Sequence, residues 1–201
     1  MNPEFWNSRY RETPLAYGME PNQYLLKKSV LFSAGMKILS VGEGEGRNAL
    51  MLAEKQLDVW GLDYSLEGLK KARLTAQVRN LNLKLICADM KTWFWPENYF
   101  DGVVAIYVHF PPEIRTQVHR SLLKSLKPGG ILIMQAFHIN QIQYDTGGPK
   151  SIEMLYTTAL LQHDFASAYF LELQETVQDL KEGIYHDGPA AVINLTLQKQ
   201  G

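Results

Sequence analysis

The sequence has 201 residues but only one cysteine, Cys87, and no apolar stretch long enough to cross a membrane. A lone cysteine cannot form an internal disulfide or a structural zinc cluster, so nothing requires an oxidising compartment. Because Cys87 lies in an apolar segment, we expect it to be a buried core residue. The chain starts with acidic and aromatic residues where a secretory signal would have a basic end and an apolar run. We therefore expect a cytoplasmic protein without a membrane span.

The sequence also lacks an excess of charge of either sign. The chain has 20 Lys and Arg residues and 21 Asp and Glu residues, which gives a formal net charge of −1. Such a balance leaves no basic surface for a phosphate backbone, so nucleic acid is not an expected partner. The five histidines and Cys87 show no metal-ligand spacing, which predicts that no metal is bound.

Strand-like and helix-like segments alternate through the middle of the chain, which predicts an α/β fold with a parallel sheet. The last two strand-like segments are joined by a link too short for a crossover helix, so they should form an antiparallel hairpin. The first 24 residues are polar, aromatic and rich in turn residues, and the first helix is predicted only at 24–32. We expect one domain (1–201) with an N-terminal arm (1–24), a ligand-binding core (36–137) and a C-terminal β-hairpin (165–200).

A glycine loop, Val41–Arg47, follows the first strand-like segment and precedes a helix. Glycine at every second position allows positive φ and a close approach to a ligand. Asp63 ends the second strand 21 positions after Gly42, near the offset of about 20 at which an acid meets ribose hydroxyls. Asp89, after the third strand, should lie at the same sheet edge and reach a base. Three strand ends thus predict a nucleoside-like ligand.

The loop differs from the dinucleotide fingerprint GxGxxG, because Arg47 stands where the third glycine would be. Glu43 and Glu45 make the loop negative, which suits a cationic ligand without phosphates. S-adenosylmethionine, with its adenine, ribose and sulfonium, fits that description. A nicotinamide-dependent oxidoreductase and a glycine turn without a ligand remain as alternatives.

Several segments resemble the successive motifs of class I S-adenosylmethionine-dependent methyltransferases. They are MKILSVGEGEGRNALMLA, VWGLDYS, ICADM, FDGVVAIYVHF and LKPGGILIM, and they span about residues 36–134. The arm segments WNSRY and YGMEPN and the tail segment EGIYH resemble more narrowly the tellurite-resistance methyltransferase branch. The resemblance implies a doubly wound, Rossmann-like sheet of seven mostly parallel strands with an antiparallel last strand. It also implies S-adenosylmethionine as cofactor and a small-molecule acceptor, with a thiol, selenium or tellurium compound as first choice.

The same resemblance implies the cofactor contacts: Gly42, Gly44 and Gly46 at the methionine part, Asp63 at the ribose, and Asp89 and Met90 at the adenine, with Tyr64 as a further cofactor-binding residue. Family members usually carry an acid for the methionine amino group where this chain has Ser40. Either Glu43 replaces that acid, or Arg9, Tyr10 and Tyr17 of the arm fold over the cofactor. A catalytically inactive nucleoside-binding homologue is the alternative that Ser40 leaves open.

Two histidines are candidate catalytic bases. Methyl transfer from a sulfonium requires an aligned nucleophile, and a neutral thiol or amine acceptor also needs a base. His109 ends the fourth strand at the edge that carries Asp63, although a histidine bonded into the helix start at Pro111 fits the pattern equally well. His186 lies in the link of the hairpin, where the related family has an active-site histidine, and a solvated turn residue is the alternative. The Asn/Asp-Pro-Pro-Tyr motif of nucleobase amino-methyltransferases is absent, since this chain reads HFPP there.

Overall fold

A seven-stranded sheet forms the centre of the computed structural model, which describes residues 3–201. In chain order its strands are β1 (Lys37–Val41), β2 (Asp58–Asp63), β3 (Leu83–Cys87), β4 (Phe100–Ile106), β5 (Leu126–Phe137), β6 (Ala168–Lys181) and β7 (Asp187–Lys199). The spatial order is β3-β2-β1-β4-β5-β7-β6. Strands β1 to β5 pair in parallel, and β7 is antiparallel to both of its neighbours. The predicted mostly parallel sheet with an antiparallel last strand is confirmed.

The helices of the described residues lie on both faces of this sheet. They are α1 (Pro3–Glu12), α2 (Gln23–Lys28), α3 (Arg47–Glu54), α4 (Leu66–Val78), α5 (Pro112–Ser125) and α6 (Thr158–Asp164), with 3-10 turns at Ser29–Leu31, Ile139–Gln143 and Ile152–Met154. Local signals set several of their ends. The Ser65 side chain accepts from the backbone N–H of Gly68 and starts α4, while Pro112 stands in the first turn of α5, where its missing N–H costs nothing. Among residues 3–201 no helix is long and apolar enough to cross a membrane.

Strand β4 shows why its sequence is a continuous apolar run. Val103 and Ala105 face the core cluster that includes α5 and α6, whereas Val104 and Ile106 face the cluster that includes α2 and α3. Both faces of the strand are therefore buried, as expected for a central parallel strand. The carboxyl ends of β1, β2 and β4 consequently meet at one edge of the sheet, between the two helical layers.

Two sequence predictions were wrong. The arm contains a ten-residue helix, α1, where an irregular segment was predicted. Cys87 is exposed rather than buried, because β3 is an edge strand and the residue lies at its end. The helix predicted at 24–32 exists but is shorter, since the 3-10 turn Ser29–Leu31 replaces its last part.

Candidate active site

A cavity of about 800 Å³ lies at the carboxyl ends of β1, β2 and β4. Its volume is in the range of small-molecule sites. The walls come from the glycine loop, the arm, the loop 145–154 after β5 and the turn 182–186 between β6 and β7. The predicted site residues that line it are Arg9, Tyr17, Gly42, Glu43, Asp63, Tyr64, Met90, His109 and His186. The structure therefore brings together residues that are up to 177 positions apart in the chain.

Asp63 holds the glycine loop in place from the end of β2. Its Oδ2 accepts the backbone N–H of Gly44 at 2.8 Å, and its Oδ1 accepts that of Ser65 at 2.7 Å. Gly44 has a φ of +57°, and a Cβ there would collide with the Tyr10 ring, so glycine is required. Burial raises the pKa of the Asp63 carboxyl, although these two backbone donors oppose the shift. Each carboxylate oxygen retains a lone pair for a further donor from the cavity.

Glu43 and Ser40 form a pair at the end of β1. The Ser40 hydroxyl donates to Glu43 Oε2, and the backbone N–H of Ala49 donates to Oε1 at 2.8 Å. The Glu43 side chain thereby presents a carboxyl group to the cavity, 7 % of the residue being exposed. Burial raises its pKa to about 7, and the nearby Asp63 charge adds to the shift. A cation in the cavity favours the ionised form of this group.

Glu45, the second acid of the loop, has a different role from the one predicted. It was expected to add negative charge for a cationic ligand, but its carboxylate binds the arm. It accepts the backbone N–H groups of Leu15 at 3.1 Å and Ala16 at 2.8 Å, and it pairs with Lys71 of α4 at 2.9 Å. This carboxylate is therefore engaged by protein groups on three sides.

The arm forms one wall of the cavity. Arg9 Nη1 donates to the Tyr17 hydroxyl at 2.9 Å, and its guanidinium carbon lies 4.4 Å from the centre of the Tyr185 ring and 4.7 Å from that of Phe5. These contacts are with neutral groups, so the positive charge of Arg9 remains available to an anion in the cavity. Asn7 fixes the start of the arm to α4 by accepting from the Ser65 hydroxyl at 2.7 Å.

The remaining predicted cofactor residues divide into two groups. Met90, which is buried, and Tyr64 line the cavity near the end of β2. Gly44, Gly46 and Asp89 do not line it. Gly46 is the N-cap of α3, with a φ of +92°, and Asp89 accepts the backbone N–H of Lys91 at 2.9 Å.

His109 has both ring nitrogens engaged by the backbone. Nδ1 donates to the carbonyl oxygen of Met154 at 2.7 Å, and Nε2 accepts the N–H of Phe137 at 3.0 Å. Burial lowers its pKa to about 4, so the ring is neutral near pH 7. This geometry favours a structural role, but not the one considered from the sequence, because the bonds join the end of β4 to Phe137 and Met154 and not to the helix start at Pro111.

His186 has a different environment. Its ring lies 4.7 Å from that of Tyr17 and 4.8 Å from that of Tyr107, measured between centroids, and only 5 % of the residue is exposed. Nδ1 is buried without a hydrogen-bond partner among the described residues. Burial, with the charges of Arg47 and Arg9 nearby, lowers its pKa to about 3. The imidazole is therefore a neutral group in the cavity wall, not the solvated turn residue of the alternative interpretation.

The lining residues that the sequence did not predict include Tyr107 and Arg47. Tyr107 follows β4 with a φ of +55°, and its buried hydroxyl has no partner in the described part of the chain. A non-glycine residue in this conformation is a mark of functional sites, but the amino-acid sequence gives no sign of it. Arg47 was noted only as the residue that breaks the dinucleotide fingerprint.

Comparisons with known proteins agree with this geometry. A family model described as a methyltransferase domain matches residues 38–130. The methyltransferase GfsG of Streptomyces halstedii is 32 % identical over 133 residues, which cover 64 % of this chain and 47 % of that protein. Phosphoethanolamine N-methyltransferase 1 of Arabidopsis thaliana is 28 % identical over 121 residues, 60 % of this chain and 24 % of that protein. The chain thus spans between a quarter and a half of the length of these curated relatives.

Solved structures extend the similarity of fold to nearly the whole chain. TehB from Haemophilus influenzae superposes with a TM-score of 0.76 and 17 % identity, covering 97 % of this chain and 67 % of that one. A structure described by the conversion of a disulfide bond into a thioacetal group during echinomycin biosynthesis gives a TM-score of 0.81 with 19 % identity, covering 98 % and 91 %. Residues 38–130 therefore match a methyltransferase domain, and the chain as a whole has a fold similar to that of the TehB structure.

Proposed function

We propose that this protein transfers the methyl group of S-adenosylmethionine to a small, soft nucleophile, with a thiol, selenol or tellurium compound as the acceptor class. One observation carries the proposal: a neutral, buried histidine, His186, faces the same cavity as the strand-end acids Glu43 and Asp63. The acids suit a cationic nucleoside, and the imidazole suits an acceptor that must lose a proton.

The lining residues fit the cofactor. Asp63 accepts the ribose hydroxyls, and Glu43 accepts the ammonium of the methionine part, with Ser40 orienting its carboxylate. Arg9 supplies a cation for the methionine carboxylate, and Tyr17 holds that guanidinium in place. When bound, S-adenosylmethionine supplies an electrophilic methyl group on a sulfonium whose leaving group is a neutral thioether.

His186 orients the acceptor and takes its proton. For a thiol acceptor, the S–H bond would break while the acceptor sulfur forms a bond to the methyl carbon. The bond between that carbon and the sulfonium sulfur would break with its electron pair left on the sulfur, giving a methyl thioether, S-adenosylhomocysteine and one proton. With its pKa lowered to about 3, the imidazole is a weak base, so it receives the proton as the C–S bond forms. The rings of Tyr17, Tyr107 and Phe137 around it exclude water from the reacting atoms.

The charges near His186 favour an acceptor that reacts as an anion. Arg9 and Arg47 are close enough to lower its pKa, and the same field stabilises a thiolate and repels a protonated amine. Asp145 and Asp187 line the cavity at its exposed rim, where they pair with Lys150 and Lys181. Sulfur chemistry in the description of the echinomycin-related structure agrees with a soft acceptor.

His109 and the remaining predicted residues take supporting roles. His109 ties β5 and the 3-10 turn Ile152–Met154 to the end of β4. Met90 and Tyr64 pack against the adenosine part, and Gly42 allows the backbone to approach it. Asp89 lies one strand further out, outside the cavity lining, and is not assigned a contact with the cofactor.

An acceptor screen tests the proposal. The purified protein is incubated with S-adenosylmethionine and, in separate reactions, with alkyl and aryl thiols, selenite, tellurite and primary amines, and S-adenosylhomocysteine is measured. Turnover with a thiol or a chalcogen compound, lost in His186→Ala and kept in His163→Ala, supports it. His163 is the matched control because its side chain is 76 % exposed on α6. Turnover with amines alone overturns the acceptor class.

A further inference from the structure

The position of His186 depends on a five-residue turn between β6 and β7. The backbone N–H of Glu182 donates to the carbonyl oxygen of His186 at 2.8 Å, and the N–H of His186 donates to that of Gly183 at 3.2 Å. These bonds fix the shape of the turn but not its place relative to the glycine loop. Because β6 and β7 end at this turn, contacts outside the hairpin must fix the position of the turn relative to the cavity.

The hydroxyls of Tyr185 and Thr13 make one such contact at 3.3 Å. Another is made by the Glu182 carboxylate, which is buried with 5 % of the residue exposed. Arg47 Nη2 donates to its Oε2 at 2.5 Å, and Asn22 Nδ2 donates to its Oε1 at 2.8 Å. Arg47 is the first residue of α3, directly after the glycine loop, and its Nη1 also donates to the carbonyl oxygen of Glu20 in the arm at 3.2 Å. One carboxylate therefore joins the turn, the glycine-loop helix and the arm.

The burial of this ion pair indicates that it fixes the position of the turn 182–186 relative to α3. Two apolar side chains of similar size often stabilise a fold as well as a buried ion pair does. A gain in stability therefore does not explain why an ion pair is found here. A charge pair permits one geometry, since any displacement leaves both charges buried and unpaired. Glu182 itself does not line the cavity, so any effect on the reaction must act through other residues.

We propose that Glu182 is a positioning residue, whose ion pair with Arg47 fixes the turn 182–186 against the start of α3 and so sets the place of His186 relative to the cofactor. The proposal rests on the proposed function. A displacement of about 1 Å at a reacting group costs on the order of 100-fold in rate. We therefore expect Glu182→Gln, which keeps the shape of the side chain but not its charge, to lower kcat by about 10- to 100-fold without weakening the binding of S-adenosylhomocysteine.

A double-mutant cycle separates positioning from a general structural effect. Glu182→Gln and His186→Asn are measured alone and together, with thermal unfolding of each variant as a check on the fold. If Glu182 acts through His186, its substitution lowers kcat in the wild-type background and has no further effect in His186→Asn. An equal loss in both backgrounds overturns the proposal.

A second readout does not need turnover, so it also decides the matter if the protein proves not to be a methyltransferase. In carbon-13 NMR of labelled imidazoles, we expect His186 of the free protein to stay neutral down to about pH 4, because burial, Arg47, His109 and Arg9 all lower its pKa. In Glu182→Gln the ring should gain solvent and titrate closer to 6.5. An unchanged titration overturns the proposal.

Should Glu182→Gln fail to fold, the pair is replaced by apolar residues in Glu182→Met/Arg47→Leu, which removes both buried charges together. Here the expected result is a folded protein in which the His186 ring loses its contact with the Tyr17 ring, measured by nuclear Overhauser effects, because the loss of the Arg47 charge alone would shift the His186 titration. A folded double variant that keeps this ring contact contradicts the proposal.

Discussion

We propose that Glu43, oriented by Ser40, takes the place of the single strand-end acid in the family that the sequence resembles. The Ser40 hydroxyl and the Ala49 N–H both donate to the Glu43 carboxyl, so the group is held in one orientation although it stands three positions later in the chain. Because the site is buried, Glu43 has a pKa of about 7 in place of its ordinary 4.5. The acid that should bind the cofactor's ammonium is therefore partly protonated at neutral pH.

We expect S-adenosylmethionine to bind with release of a proton. A cation beside Glu43 favours the carboxylate, so affinity should rise by up to about tenfold per pH unit towards pH 7 and level off above it. The free protein shows the opposite trend: a carboxyl with a raised folded-state pKa binds its proton more tightly folded than unfolded, so the stability contributed by Glu43 falls as pH rises from about 4.5 to 7. Calorimetry at pH 6.5 in two buffers with different ionisation enthalpies measures the released proton.

Glu43→Gln is the control for this prediction, because it keeps an acceptor for Ser40 and cannot ionise. Its cofactor affinity should be lower at pH 8 and independent of pH between 5.5 and 8. A wild-type binding enthalpy that does not depend on the buffer would show that Glu43 keeps its protonation state, contrary to this account.

His186 leads to a prediction about acceptors. Since its pKa is about 3, the imidazole remains neutral through the physiological range and is a weak base. Rates should therefore follow the acidity of the acceptor, with selenols and acidic aryl thiols faster than alkyl thiols, and kcat should show no loss near pH 6.5 from protonation of this histidine. Initial rates over pH 5 to 9 with a series of thiols check this. A fall in kcat below about pH 6.5 that disappears in His186→Asn would refute the prediction.

At the scale of elements, the arm is attached to the glycine loop through α4. Lys71 donates to the carbonyl oxygens of Tyr10 and Thr13 and pairs with Glu45 at 2.9 Å. Glu45 in turn binds two backbone N–H groups of the arm. The arm wall of the cavity is thus held by one lysine, Lys71, and one acid, Glu45.

We expect Lys71→Met to loosen the arm without unfolding the sheet. The change leaves the Glu45 carboxylate without its cation, so the dissociation rate of S-adenosylhomocysteine should increase about tenfold, and protease should cleave near residues 13–18 sooner. Stopped-flow fluorescence of the arm's Trp6 and limited proteolysis measure both effects.

Lys70→Met is the matched control, since Lys70 stands beside Lys71 on α4 but pairs on the surface with Glu67, with 60 % of its side chain exposed. It should behave as the wild type. Equal effects of the two substitutions would mean that the arm does not depend on the Lys71 contacts.

The sequence predicts some elements well and others poorly for physical reasons. The carboxyl end of β2 was predicted at Asp63, where the structure has it, and the final hairpin followed from the shortness of its link. Helix α1 was missed because its aromatic residues pack on a cavity wall and not on the core, so no apolar stripe is seen. Tyr107 and Glu182 were missed because their roles come from a backbone conformation and from contacts 135 positions apart, neither of which leaves a local signal.

At the scale of the whole molecule, the cavity is where the arm, the parallel core and the hairpin meet. The arm contributes Arg9, the core contributes Asp63 and Glu43, and the hairpin contributes His186. A ligand that contacts all three adds to their stability together, since it binds the folded protein alone.

We therefore expect one cooperative unfolding transition that S-adenosylhomocysteine shifts upward. At a ligand concentration of about 100 times Kd the gain is about 2.7 kcal/mol, or roughly 5–11 °C for a chain of this size. Differential scanning calorimetry with and without ligand measures it. Two transitions, of which only one moves, would contradict the idea that the cavity joins these segments.

Calorimetric titration with S-adenosylmethionine, S-adenosylhomocysteine and NAD tests the central claim most directly. Asp63→Ala serves as the site variant, and Asp58→Ala, at the other end of the same strand and paired with Lys84 on the surface, as its control. We expect micromolar binding of both adenosyl ligands and none of NAD, with binding lost in Asp63→Ala and kept in Asp58→Ala. Binding of NAD, or no binding of either adenosyl ligand to the wild-type protein, would contradict the assignment of this cavity to S-adenosylmethionine.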